Sequence, residues 1–289
     1  MRRAWPYIFL CAAALNFGCA KSFKYIKLAP RTNVRSIVSL SPSSTEIVAS
    51  FAGSTLLVGR TAADNYPTNF LKNVPIVVSV KPDFEKIKAL DPDLVVFDSS
   101  LYSASDISKI NDLGFKTFVF DAPTVRGYEN QLFAFADLIG HQTDYSDYID
   151  RIDVSLGNAA PKPSPSPKVA IILPEEGGTP MIAGTNTFED DVFKEVGGTP
   201  VGPNVGNFVP LNPELLVSFN PDVIIVPTIK GTAAHDVDSI TSDSRFKSTN
   251  AVKNGRVIPL DEDVVLRRGA RVDHFIDGAY SALASNGSK

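Results

Sequence analysis

The side chains that could do chemistry in this 289-residue chain are few in kind. Three histidines, His141, His235 and His274, stand far apart in separate predicted elements, so their spacing spells out neither a transition-metal site nor a histidine-based relay. Surface or helix-flank positions are the expectation for all three. Both cysteines, Cys11 and Cys19, fall in the first twenty residues, which removes intrachain disulfides, cysteine-based zinc sites and cysteine nucleophiles from the rest of the chain. There is no G-x-S-x-G turn to expose a nucleophilic serine. The glycine-rich "GGTPVGPNVG" lacks the Lys-Ser/Thr pair that would follow a phosphate, and reads as a loop. A formal net charge of -4 with both signs interspersed gives no basic face for nucleic acid. Metal, cofactor and covalent catalysis are all unsupported; a hydrolase would need carboxylates converging in a cleft.

The most informative acids sit in a repeat. "FEKIKALDPDLVVF", residues 84–97, returns as "PELLVSFNPDVIIV", residues 213–226, and each copy follows an N-cap candidate, Asp83 or Asn212. Glu85 and Glu214 therefore occupy the first turn of matching short helices, where a carboxylate complements the helix dipole. The Pro-Asp turn ends each helix, and the four-residue apolar run after it suits a strand buried on both faces of a parallel sheet. The unit is helix, turn, strand.

Elements of the same alternating kind fill the rest. "RSIVSL", "LLVGR", "VPIVVS" and "KTFVF" are strand candidates. "SPSSTEIVASFAG" reads as a helix with Ser43 and Glu46 as a capping box and Gly53 as its end, and "LYSASDISKINDLGF" as a helix closed at Gly114. A helical pattern runs from Tyr128 to about Asn158, divided at Gly140 with Thr143 as a candidate cap, and "PKPSPSPK" breaks it. After "VAIIL" the chain passes through a turn-rich "PEEGGTPMIAG", a helix near "FEDDVFKEVGG" and the loop "TPVGPNVGNFVPL" before the second repeat copy. The expectation is α/β: two doubly wound lobes with mainly parallel sheets, residues 34–127 and 161–289, around a helical segment 128–160 that includes one long bridging helix.

Residues 1–20 have the plan of a secretory signal, with two arginines, an apolar stretch from Tyr7 to Leu15 and small residues at Gly18 to Ala20. That stretch is too short for a membrane-spanning helix, which needs about 20 residues. Gly18-Cys19 resembles the end of a bacterial lipobox, with Asn16 where such motifs carry Leu. Two outcomes stay open, lipidation at Cys19 or cleavage after Ala20, and both leave a polar tether, residues 21–33.

"IVSLSPSSTEIVASFAG", "DNYP", "FEKIKALDPDLVVF", "LGFKTFVFD", "FEDDVFKEVGG", "PELLVSFNPDVIIV" and "KNGRVIPLDED" stand in an order and spacing that resemble the substrate-binding proteins of ABC importers for cobalamin, haem and iron-siderophores, nearest to the cobalamin binder. The resemblance covers residues 34 to 282. It implies a class III architecture with ligand between two lobes, little hinge motion, and a monomer delivering a corrinoid, haem or ferric siderophore to a two-fold symmetric permease, with no reaction catalysed. It implies docking roles for Glu85 and Glu214, one acid per lobe for arginines of the permease. The ligand is expected at loops after strands: Tyr66 in "DNYP", Lys81 in "SVKP", Asp98 to Tyr102 in "DSSLY", Glu175 and Glu176, Phe208 in "GNFVP", and Arg267 and Arg268 in "VLRRGAR". Tyr66 and Phe208 would present flat apolar faces and the arginines would pair with an anionic edge. Tyr66 has the alternative of packing a turn, and Arg271 that of anchoring the last helix. The chain departs from the cobalamin binder, which surrounds its ligand with tryptophans. Its one tryptophan is Trp5, and the matching places hold Lys81, Asp98, Phe208 and Val264. Tyr66, Tyr102 and Met181 are the stand-ins for the iron ligands of haem binders. A fold that lost its ligand is the remaining alternative.

Overall fold

The structure is a computed structural model describing residues 34–53, 55–175 and 178–285. The expected leader, the tether, Cys19 and Glu176 lie outside the described residues.

Five short apolar strands, β1 (Ile37–Ser39), β2 (Leu57–Thr61), β3 (Ile76–Val78), β4 (Leu94–Asp98) and β5 (Thr117–Phe120), form an all-parallel sheet in the order β3-β2-β1-β4-β5. Every position of β4 is buried, which is why its sequence is an apolar run and not an alternation. The helices of this half are α1 (Pro42–Ile47), continued by a π-helical turn over Val48–Ala52, then α2 (Thr68–Leu71), α3 (Phe84–Leu90) and α4 (Ala104–Asp112). The strand order reverses at β1, so the loops after β1 and β4 diverge and open a crevice at the carboxyl edge of the sheet.

Helices α5 (Val125–Ile139) and α6 (Gln142–Asn158) pack on one another as a hairpin, divided at Gly140, whose φ of 78° closes α5. Thr143 lies inside α6 and does not cap it. With 17 residues, α6 is about 25 Å long, enough to reach from one sheet to the other.

The second sheet contains β6 (Lys168–Leu173), β7 (Met181–Ala183), β8 (Thr199–Pro200), β9 (Phe208–Pro210), β10 (Val223–Thr228) and β11 (Val257–Asp261), ordered β11-β10-β6-β7-β9 with β8 beside the start of β6. It is mixed, because β7 runs antiparallel to both β6 and β9. Sequence patterning hid β7 and β9, each three residues long, inside stretches that read as turns and loop. Their glycines serve close approach: a Cβ on Gly184 would stand 2.0 Å from the Val205 carbonyl oxygen. Helices α7 (Phe188–Glu195), α8 (Pro213–Phe219), α9 (Ala233–Thr241), α10 (Asn250–Lys253), α11 (Glu262–Val265) and α12 (Val272–Ala284) complete this half.

The repeat is structural at each step. Asp83 and Asn212 cap α3 and α8 by accepting from the backbone N–H groups of Lys86 and Leu215, both at 3.1 Å. Ile87 and Leu216 are the buried anchors of the two helices, and Asp91 and Asn220 close them in the left-handed region, with φ of 45° and 47°. Asp and Asn tolerate that conformation better than other residues with a Cβ. β4 and β10 follow at the same spacing.

One apolar cluster runs from Ile37 and Val96 of the first sheet through Tyr128, Tyr145 and Tyr148 to Ile171, Phe193 and Phe275 of the second half. The loop between α11 and α12 is pressed into it. Tyr128 and Tyr148 both donate their hydroxyls to the carbonyl of Gly269, at 2.7 and 3.0 Å. Glu46, expected in a capping box, is elsewhere engaged: Ser41 caps α1, accepting from Ser44 N–H at 3.3 Å, while Glu46 is buried and pairs with Arg271 (Nη2–Oε1 2.7 Å, Nε–Oε2 3.2 Å) and Arg267 (Nη1–Oε1 3.4 Å). Burial pushes its carboxyl above the ordinary value, against the opposing pull of both arginines. A Cβ on Gly269 would fall 2.4 Å from Glu46 Oε2. Gly269→Ala must therefore displace a carboxylate pinned by two guanidinium groups, and it should destabilise the protein by about 1–3 kcal/mol, read as a lowered midpoint in chemical denaturation.

A second buried acid has the opposite character. Glu129 of α5 is 1% exposed and accepts no hydrogen bond, and its ion-pair partner Arg126 is over half exposed. Burial pushes Glu129 up to about 7, Arg126 opposing and Asp153 and Glu195 adding to the rise. A carboxyl raised in the folded state costs nothing below its ordinary value of 4.5, and costs increasing stability as pH climbs to about 7. Glu129→Gln should accordingly match the parent near pH 4.5 and exceed it by ~1–3 kcal/mol at pH 8, measured by denaturation across that range.

Candidate functional site

A cavity of about 480 Å³ opens at the carboxyl edge of the first sheet and faces the second half. Ser99 and Ser100, following β4, and Asp121 and Pro123, following β5, form one wall. The other wall comes from the N-terminal end of α7, with Asn186, Thr187, Phe188 and Glu189, and from Gly206, Asn207 and Phe208 at β9, with Leu266 and Arg268 from the loop before α12. Its size lies within the range of roughly 300–1,000 Å³ usual for small-molecule sites. Phe188, Phe208 and Leu266 supply apolar surface, and serines and asparagines supply uncharged hydrogen-bonding groups.

Local structure fixes these walls. Ser41 Oγ, while capping α1, also accepts from Asp98 N–H at 3.0 Å, which ties the loop after β1 to the end of β4 at the point where strand order reverses. Asp98 in turn caps the 3₁₀ turn Ser99–Leu101 by accepting from Ser100 N–H at 2.9 Å. Thr187 caps α7 by accepting from Asp190 N–H at 3.2 Å, and that helix carries Glu189, Asp190 and Asp191 in its first turn. The positive end of α7 thus points at the cavity already matched by its own acids.

Arg268 crosses the cleft. Its Nε and Nη2 donate to the two carboxylate oxygens of Asp98, its Nη1 donates to the Ala122 carbonyl, and its guanidinium lies 6.0 Å from the Phe188 ring centroid. Both members of the pair are nearly buried, at 12% and 6% side-chain exposure. Arg267 is committed as well: it pairs with Asp263 at 2.6 Å and Glu46 at 3.4 Å and donates to Asn65 Oδ1 at 2.7 Å. The acids on the cavity wall have lighter engagements. Asp121 accepts from Gln131 Nε2, and Glu189 is half-buried; burial pushes its carboxyl up, with its own backbone N–H, Thr187 and Arg268 pulling it down.

Of the sequence-derived candidates, the cavity brings together Asp98, Phe208 and Arg268. Tyr66 is not in the lining and is the platform for Arg271, whose guanidinium is 4.6 Å from the ring centroid. Arg271 does anchor the lobe junction, through Glu46. Tyr102 donates its hydroxyl to the Leu40 carbonyl and packs edge-on against Phe97 at 5.4 Å; burial raises its pKa well above the ordinary phenol value. Lys81 is exposed, within electrostatic reach of Asp106 of α4. Val264 packs partly buried against the main core, and Met181 begins β7. Glu175 lines a smaller cavity of about 240 Å³ with His235, Asp236 and Glu262, while His274 is exposed and His141 precedes α6. Among the described residues no group of three His, Cys, Asp or Glu side chains gathers in a metal-binding arrangement.

Sequence reasoning missed Asp121, Asn186 and Glu189 in the wall and Glu46 behind it. The one available signal was Thr187 three residues before Asp190, a helix start following a strand edge. Glu85 and Glu214 are both exposed, in the first turns of α3 and α8. Each helix begins at the carboxyl edge of its sheet, since α3 joins the parallel strands β3 and β4, and α8 follows β9, which runs with β6 and β10. Both acids consequently emerge on the side where the cleft opens.

Comparison with known proteins identifies the fold. An uncharacterized ABC transporter substrate-binding lipoprotein, YvrC, of Bacillus subtilis (strain 168) is 28% identical over 250 residues, spanning 82% of this chain and 76% of that one. The apo structure of the periplasmic heme-binding protein RhuT from Roseiflexus sp. RS-1 superposes with a TM-score of 0.74 at 23% identity, covering 88% of this chain and all of the other. The periplasmic vitamin B12 binding protein BtuF of Vibrio cholerae superposes equally well, with a TM-score of 0.74 at 20% identity, covering 87% and 97%. The family model for periplasmic binding proteins matches residues 37–264, and with the bulk of both lobes inside that match the chain belongs to the periplasmic binding protein family.

Proposed function

We propose that this protein is the exported substrate-binding component of an ABC importer, held at the outer face of the membrane by a lipid on Cys19, and that it carries a cobalamin-like ring or an iron chelate in the cleft between its sheets. The observation that carries the reading is the 480 Å³ cavity at the carboxyl edge of the first sheet, walled by both halves of the chain and floored by Phe208 and Leu266. Large apolar side chains are also left exposed on loops after strands: Val80 after β3, Leu101 after β4 and Ile229 after β10. Among the described residues no helix is long and apolar enough to cross a membrane.

The hydrolase alternative has less to stand on. Asp98, the most deeply buried acid of the cleft, is charge-paired by Arg268 through both carboxylate oxygens and also accepts from Ser100, which commits it to structural partners. RhuT and BtuF are described as binding heme and vitamin B12, and neither description names a reaction. Protein purified from its native host should carry a visible absorption band, and the emptied protein should bind at least one of cyanocobalamin, haemin or a ferric siderophore in calorimetry. Silence across that panel would remove the reading.

The delivery step falls to Glu85 and Glu214. A two-fold symmetric permease presents two equivalent sockets, and two equivalent helix starts flanking the mouth of the cleft match them, one from each half. The double variant Glu85→Lys/Glu214→Lys should abolish uptake in cells while ligand affinity stays within about twofold of the parent, since neither side chain lines the cavity. Unchanged uptake would return both residues to the dipole-matching role of a first-turn carboxylate.

A further inference from the structure

We infer that the cleft selects for ligands whose edge is uncharged or cationic, and disfavours those that present carboxylates or catecholates. This rests on the ligand-carrying reading above and names the chemical class for the same cavity.

The charges in the wall decide it. Among the described residues, Asp98, Asp121, Glu189 and Arg268 are the charged ones lining the cavity. The guanidinium is already charge-paired: Asp98 accepts from Nε and Nη2 and the Ala122 carbonyl from Nη1, three of its five N–H donors, and Phe188 lies along its face. Arg267, which a sequence reading offers to an anionic edge, is spent on Asp263, Glu46 and Asn65 outside the wall. Once Asp98 and Arg268 cancel, Asp121 and Glu189 remain, and the lining is left with a negative balance. The backbone supplies one opposing feature, the N-terminus of α7, and the helix neutralises it with Glu189, Asp190 and Asp191 in its first turn.

An incoming carboxylate would meet two acids, and the only cation in the wall among the described residues is already neutralised by Asp98, so drawing Arg268 away would strain a nearly buried bidentate pair. The cost of leaving Asp98 unpaired in that place would fall on the complex. An amide edge meets better partners: the hydroxyls of Ser99 and Ser100 and the side-chain amides of Asn186 and Asn207 offer both donors and acceptors on the two walls. An ammonium or guanidinium edge would gain directly from Asp121 and Glu189. Corrinoids edged with amides and iron hydroxamates fit this description. A porphyrin with two free propionates and a tris-catecholate iron complex do not.

The test is a calorimetric series on the mature, ligand-free protein with four probes: dicyanocobinamide, ferrioxamine B, haemin and a ferric tris-catecholate. The expected result is that dicyanocobinamide, ferrioxamine B or both bind at least ~10-fold more tightly than either anionic probe, with the difference shrinking as salt is raised. Asp121→Asn/Glu189→Gln should shrink it too, while the same variant's unfolding curve confirms an intact fold. Haemin or the catecholate binding as tightly as the best uncharged or cationic probe would overturn the selectivity and leave the carrier reading standing. No binding by any of the four would overturn the carrier reading itself and this inference with it.

Discussion

The structure depends on the close approach of one loop to one helix. Residues 266–271 run between α11 and α12, and Gly269 brings their backbone so near α1 that a methyl group would overlap the Glu46 carboxylate. At that point two tyrosine hydroxyls share one carbonyl, and two arginines share one buried glutamate. The loop is also what carries Leu266 and Arg268 into the cavity wall. Stability and site geometry therefore come from the same contact. This interface is continuous with an apolar core that runs through both halves.

That contact also accounts for how the arginines are used. Three arginines within five positions look from the sequence like a basic surface for an anion. In the fold each faces an acid from the other half: Arg267 and Arg271 meet Glu46, and Arg268 meets Asp98. Pairs of this kind contribute little net stability, because desolvation consumes much of the attraction, but removing one partner strands a buried charge. They fix how the halves meet. The ligand wall inherits what is left over, which is neutral amides and hydroxyls with two acids.

Much of the framework was legible because it is local. The repeat could be read down to its caps, since Asp83 and Asn212 act within their own helices, and the apolar runs of β4 and β10 identify strands buried on both faces. What escaped is non-local. β7 and β9 are too short for a period to show, and they exist because each borrows hydrogen bonds from a neighbour distant in sequence. Glu46 satisfied the spacing of a capping box, yet its partners lie more than two hundred residues away. Phe208 was singled out for its flat face, and the cavity lining includes it. Tyr102, a stand-in for an iron ligand by the family resemblance, has its hydroxyl committed to the Leu40 carbonyl.

The two copies of the repeat show why a duplicated framework need not duplicate a site. Capping residue, buried anchor, left-handed closure and strand recur at the same spacing, so each half can offer an exposed glutamate in an equivalent setting. The loops after the two strands share no such constraint. β4 ends in Asp98, which is buried, caps the turn that follows it and is locked to Arg268, whereas β10 ends in Thr228 and leads to the exposed Ile229. A partner built with two-fold symmetry can use the conserved geometry of the helix starts, and a ligand without that symmetry can use the loops that diverged. The division follows from where each kind of residue sits: helix caps are determined by neighbours in sequence, and cleft walls by the element packed across from them.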